Sequence, residues 1–135
     1  MTEASLPEDL RYTREHEWVR KSGESTVRIG ITDYAQRQLN DVVFVQLPEV
    51  GDEVTTGEPF GEVESTKSVS DIFAPLTGTI SALNEALSDS PELVNTDPYE
   101  GGWLVEIDVA DAGSLDEELA GMLGADEYRE ISGDE

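Results

Sequence analysis

The stretch VESTKSVSDIFAPLTG, residues 63–78, sets two short strand-like runs on either side of Thr66-Lys67. EVES ends on polar residues. SVSDIFA opens on small ones and turns apolar, and PLTG (75–78) reads as a turn. A lysine at such a tip extends into water on a four-carbon stem. Ser65, Thr66 and Ser68 are small, so a large enzyme can approach the amine. A catalytic amine needs burial to lower its pKa, and nothing in this pattern buries Lys67. The geometry suits a lysine that is modified. The competing reading is an ordinary solubilising lysine, but the chain has only Lys21 besides and supplies its surface charge through acids.

Working outward, TGEPFGEVES (56–65) leads into one strand, SVSDIFA (68–74) into the next, and TISALN (79–84) forms a third. Upstream, HEWVRK (16–21) is a short strand anchored by Trp18. TVRIGIT (26–32) alternates Val27, Ile29 and Ile31 on one face. DYAQRQLN (33–40) is a helix of about two turns, with Asp33 and Gln36 as a capping box and Asn40 as its stop. VVFVQL (42–47) is a continuous apolar run that fits a strand buried on both faces. PEVGDEV (48–54) is a turn. Downstream, residues 85–102 read as a long connection with one helical turn after Ser90-Pro91. WLVEIDV (103–109) alternates as a final strand. SLDEELAGMLG (114–124) is a helix capped by Ser114 and Glu117 and closed by Gly124. Residues 1–10 are a loose lead-in and 125–135 a frayed end. The sum is about six to eight short strands, mainly antiparallel, in a small sandwich or flattened barrel with added helices. Gly61 allows close strand approach, and Gly78 serves the chain reversal. No βαβ alternation or glycine-rich phosphate loop supports a nucleotide fold.

The 135 residues carry 8 basic and 31 acidic side chains, a net charge of −23. That excludes nucleic-acid binding through a basic patch and disfavours anionic membranes. No apolar run is long enough to span a bilayer. The acidic N-terminal stretch lacks the features of a signal or transit peptide, so a cytoplasmic setting is expected. With no cysteine, thiolate nucleophiles and zinc–thiolate sites are absent. A histidine metal site or a Ser-His-Asp triad would rest on His16 alone. Strong acidity with little lysine suggests a salt-rich cytosol that screens self-repulsion, as in an extreme halophile. Molar KCl is then expected to raise the melting temperature. Native circular dichroism without salt, with no gain from KCl, would sink that idea.

The run VESTKSVSDIFAPLTGTISALNEAL closely resembles the lipoyl-attachment hairpin of the glycine cleavage system H protein family. YTREHEW, VRIGITDYAQRQLNDVVFVQLPEVGDEV, DSPELVNTDPYEGGWLVEID and LGADEY resemble that family's blocks in the same order, over about residues 10–130. The resemblance implies one domain over 1–135, a lipoyl-domain hybrid sandwich with its core at about 26–109 and a C-terminal helix at about 114–124. It implies lipoate in amide linkage to Lys67 and a carrier without catalysis of its own. The implied partners are the pyridoxal-phosphate glycine decarboxylase (P protein), which loads an aminomethyl group, and the aminomethyltransferase (T protein), which passes it to tetrahydrofolate. Dihydrolipoyl dehydrogenase (L protein), which reoxidises the dithiol, and a lipoate-attaching enzyme complete the set. A monomer is expected.

By the same resemblance, Glu64 and Asp71 help the attaching enzyme recognise the turn, and Asp71 also contacts the loaded arm. Glu17 lines the cleft that shelters the arm, where a carboxylate holds an ammonium by a charge-assisted hydrogen bond. Thr32 heads the first helix, where its hydroxyl can serve as a cap, and the resemblance also places it near that cleft. Trp18 belongs to the core, and His16 is packed or hydrogen-bonded. Where relatives often show histidine on the helix, this chain has Tyr34 and Gln38, so the shelter rests on hydrogen bonding from Gln38 or is weaker. Two rivals stay open. A lipoyl domain of a 2-oxoacid dehydrogenase usually has an Asp-Lys-Ala turn and a linker. An H-like protein that relays lipoate to other enzymes has no distinguishing motif. A biotin carrier would place methionines beside the lysine, and here they are Met1 and Met122.

Overall fold

A computed structural model of the chain describes residues 10–99, 101–109, 112–124, 127, 128 and 130. The strands are β1 (Arg11–Tyr12), β2 (Glu17–Lys21), β3 (Thr26–Ile31), β4 (Val42–Gln46), β5 (Glu53–Val54), β6 (Pro59–Ser65), β7 (Val69–Phe73), β8 (Gly78–Leu83) and β9 (Val105–Val109). The helices are α1 (Asp33–Leu39), α2 (Ala86–Asp89), α3 (Leu93–Thr96) and α4 (Ala112–Ala120). Two antiparallel sheets face each other, one of six strands in the order β1-β2-β3-β9-β8-β5 and one of three in the order β4-β6-β7. The sandwich expectation holds; the sheets do not close into a barrel.

Alternation builds the core. Val27 and Ile29 of β3, Val105 and Ile107 of β9 and Ile80 of β8 point inward from the large sheet. Val42 of β4, Val63 of β6 and Ile72 of β7 meet them from the small one. A second cluster of Leu10, Tyr12, Trp18, Tyr99 and Tyr128 packs the two chain ends together. Tyr12 stacks on Tyr128 at 5.0 Å, and Tyr12 also bridges to Leu123. Trp18 is fully buried and donates its indole N–H to the Pro98 carbonyl at 2.8 Å. Apart from Leu10, Glu127, Tyr128 and Glu130, the expected loose lead-in and frayed end lie outside the described residues.

Four local expectations change. The run VVFVQL is not buried on both faces: β4 is an edge strand of the small sheet, and Val43 and Phe44 are 53% and 51% exposed. A register shift between Val42 and Phe44 turns both side chains outward, which a run of apolar letters cannot reveal. The cap of α1 is Thr32, whose hydroxyl accepts from the Ala35 N–H; the Gln36 amide goes to the Asp33 carboxylate instead. Ser114 lies inside α4 rather than at its cap, and the helix ends at Ala120, before Gly124. The connection 85–102 holds two short helices, α2 and α3, instead of one turn. Asn40 does stop α1, with a positive φ of 68° and its N–H on the Gln36 carbonyl.

Close strand packing explains two glycines. A Cβ at Gly61 would sit 2.6 Å from the Gln46 carbonyl oxygen, where β6 irregularly pairs β7. A Cβ at Gly78 would sit 2.5 Å from the Asp108 carbonyl oxygen on β9. Gly78 therefore serves the approach of two strands as well as the preceding turn.

Candidate functional site

β6 and β7 form a hairpin whose last paired residues are Glu64 and Val69. Thr66 to Ser68 make the connecting loop, and the hydroxyl of Ser65 at the end of β6 organises it. Ser65 Oγ accepts from the backbone N–H of Lys67 at 3.1 Å and of Ser68 at 3.0 Å. The Ser65 N–H reaches back to the Ser68 carbonyl at 2.8 Å, and the Thr66 N–H reaches the Asp41 carbonyl at 3.0 Å. The loop backbone is thus held while the Lys67 side chain extends into solvent, and no ion pair among the described residues engages its ammonium. The sequence marks Ser65 only as small; its position two residues before Lys67 is the signature of a serine turn.

The same hairpin walls a cleft of about 140 Å³. Val63, Ser70, Asp71 and Ile72 line it from β6 and β7, and Tyr34, Ala35, Gln38 and Leu39 line it from α1. Glu15, His16, Glu17 and Ile31 complete it. The floor is apolar and the rim is polar. A depression of about 280 Å³ beside Pro48, Asp52 and Glu58 is larger, but it lies at the opposite end of β6 from the Lys67 loop and its walls are mainly polar.

Glu17 is the unusual group. It is 2% exposed, and its Oε2 accepts from the Phe73 N–H at 2.6 Å, on the free edge of β7. Thr13 Oγ1 donates to Oε1 at 3.4 Å. Burial pushes its pKa up to about 8; the Phe73 N–H opposes this, the charge of Glu15 adds to it, and the Thr13 hydroxyl opposes it again. Glu17 is therefore mostly protonated at neutral pH. A cation brought into the cleft would favour the carboxylate and expel that proton.

Behind Glu17, Tyr128 links two elements. Its hydroxyl shares hydrogen bonds of 2.7 Å with Thr32 Oγ1 and with His16 Nδ1. His16 has φ 70° and packs against the Tyr34 ring at 4.8 Å. Burial lowers its pKa, with Glu15 acting the other way, so the ring is neutral at pH 7.

The sequence-derived site residues separate into groups. Glu17, Gln38 and Asp71 come together around the cleft, with Gln38 and Asp71 exposed on its rim. Thr32 is fully buried behind the wall, as the α1 cap and the partner of Tyr128. Glu64 is half-buried on the outer face of the small sheet, opposite Phe44 and Val69, and does not line the cleft. Sequence reasoning missed Tyr128 and the Phe73 N–H, since both act across long separations. Among the described residues no group of His, Asp or Glu could hold a metal ion, and no helix is long and apolar enough to cross a membrane.

The family model described as glycine cleavage H-protein matches residues 10–135. The chain belongs to the glycine cleavage H-protein family. It is 62% identical over 128 residues to the glycine cleavage system H protein of Mycobacteroides abscessus, covering 95% of this chain and 96% of that one. To the H protein of Mycobacterium avium it is 60% identical over 126 residues, covering 93% and 96%. The crystal structure of the H protein from Mycobacterium marinum superposes with a TM-score of 0.83 at 44% identity, covering 95% of this chain and 99% of that one. As an H-protein family member, the chain is identified with the carrier component of glycine cleavage.

Proposed function

We propose that Lys67 carries a lipoyl group in amide linkage. The chain would shuttle the aminomethyl group of glycine from glycine decarboxylase to the tetrahydrofolate-dependent aminomethyltransferase before dihydrolipoyl dehydrogenase reoxidises the arm. The observation that carries this reading is the exposed Lys67 ammonium on a hairpin loop in a chain of this family. The surroundings fit the group. Ser65 holds the loop backbone without touching the amine, and the cleft beside the hairpin offers an apolar floor of Ile31, Leu39, Val63 and Ile72. A bound lipoyl group would supply a redox-active dithiolane on a long neutral tether.

The protein's own residues then have defined tasks. Ser65 presents Lys67. Val63 and Ile72 receive apolar segments folded back along the hairpin. Glu17 provides a neutral acid that can ionise opposite a cation, and Gln38 and Asp71 add polar contacts at the rim. Tethering confines the reactive end to a small volume and raises its effective concentration at each partner. This carrier works as a soluble cytoplasmic monomer and catalyses nothing alone.

Protein purified from its native organism should show one lipoyl adduct by intact mass, mapped to Lys67. The adduct-bearing protein, mixed with glycine decarboxylase, should drive exchange of labelled bicarbonate into glycine. An unmodified Lys67 in cells growing on glycine would refute the carrier reading. A lipoylated chain that supports no exchange would shift it to lipoate relay.

A further inference from the structure

Among the described residues four large apolar side chains are more than half exposed: Val43, Phe44, Val50 and Val69. Three of these four, Val43, Phe44 and Val69, lie at the loop end of the small sheet. Phe44 pairs with Glu64 across β4–β6, and Glu64 pairs with Val69 across β6–β7. Phe44, Glu64 and Val69 therefore form one row across the outward face, and Val43 joins it through the register shift. The next row on that face is Gln46, Glu62 and Asp71. From Phe44 a groove of about 290 Å³ continues beside Val45 to Pro48 and reaches Leu87 of α2. Nothing in the core requires Phe44 to stay in water. Clustered exposed apolar side chains rimmed by polar ones mark an interaction surface.

We propose that this face, centred on Phe44 and Val69, docks the enzyme that acylates Lys67. The inference rests on the reading of Lys67 as the lipoyl site. Reach selects this partner. The acylating enzyme must bring Nζ itself to its reacting centre, and Nζ stands only a four-carbon stem from the loop. Its surface therefore has to lie against the flanks of the hairpin, and Val69 is the second residue after Lys67. Enzymes that act on the far end of a finished arm need not approach so closely. Charge describes the partner further. Glu64 stands between Phe44 and Val69 and Glu62 and Asp71 lie in the next row, so the complementary surface offers apolar contacts interspersed with lysine or arginine.

With a lipoyl adenylate as donor, Nζ forms the amide bond to the lipoyl carboxyl carbon. The bond from that carbon to the AMP oxygen breaks, AMP leaves, and the lysine ammonium loses two protons to solvent. Phe44 and Val69 take no part in this chemistry; they position the hairpin for it.

The test uses the unmodified full chain with an ATP-dependent lipoate ligase, lipoate and ATP, following initial rates by intact mass over a range of carrier concentrations. The double variant Phe44→Thr/Val69→Thr should raise KM at least ~10-fold, as for loss of an interface anchor, with kcat within about twofold. Its circular dichroism and melting temperature should stay near wild type, since both side chains are exposed. Val50→Thr removes a similarly exposed valine in the β4–β5 turn and should leave KM unchanged. An unchanged KM in the double variant overturns the proposal, as does an equal rise in Val50→Thr. Unchanged lipoylation with a loss of bicarbonate exchange in the pre-lipoylated double variant also overturns it and gives the face to the decarboxylase. A wild-type dimer in sedimentation that the double variant dissolves overturns it in favour of self-association. A wild-type chain that takes no lipoyl group at Lys67 removes the carrier reading itself, a result distinct from the others.

Discussion

Lys67→Arg is expected to fold as the wild type does, accept no lipoyl group and support no bicarbonate exchange above background. Arginine keeps the positive charge and nearly the length of lysine. Its guanidinium stays protonated at any pH a protein tolerates and offers no free amine for acylation. The position is exposed, and the loop is shaped by Ser65 Oγ acting on backbone N–H groups that arginine also has. Stability should therefore change by no more than about 0.5 kcal/mol. Intact mass after incubation with the ligase, a thermal melt and the exchange assay together check the result. Full exchange by the arginine variant would show that the carrier function does not run through this side chain.

The second large effect concerns Glu17. Its folded pKa is about 8, against an ordinary value of 4.5. Between those values the folded state binds more protons than the unfolded one, so stability falls as pH rises. Below the ordinary value both states are protonated and this dependence vanishes; above about 8 both are ionised and the loss levels off. The whole decline is on the order of a few kcal/mol. Glu17→Gln cannot ionise, yet it keeps an acceptor for the Phe73 N–H. Its melting temperature should vary less with pH than the wild type over this window and exceed the wild type at its upper end. Glu17→Ala strips the Phe73 N–H of its acceptor and opens a cavity, at a cost of about 3 kcal/mol at pH 6. Melting curves across the window check all three. Parallel curves for wild type and Glu17→Gln would mean that Glu17 stays ionised in the fold.

Much of the sheet structure was legible because alternation is local. Val27, Ile29 and Ile31, and again Val105, Ile107 and Val109, announce strands with one buried face. Lys67 was legible too, since a hairpin tip and a scarcity of lysine are both properties of the one-dimensional chain. On α1, Asp33 and Gln36 have the letters of a capping box, but Thr32 has the extended backbone that a cap requires.

The cleft was a different matter. Glu17 among 31 acids has no local mark of its own. Its environment comes from Phe73, 56 positions away, and from burial where the two sheets meet. Tyr128 reaches Thr32 and His16 only because the second core folds the C-terminal segment over the first strands. The outward Phe44 depends on a register shift, and no run of apolar letters encodes which face a strand turns to water. Most strands, the acidic surface and the exposed amine can be read along the chain, because each depends on near neighbours. The state of Glu17, the position of Thr32 behind the cleft and the apolar face beside Lys67 emerge only in the folded molecule. Burial and cross-strand pairing arise between residues far apart in sequence.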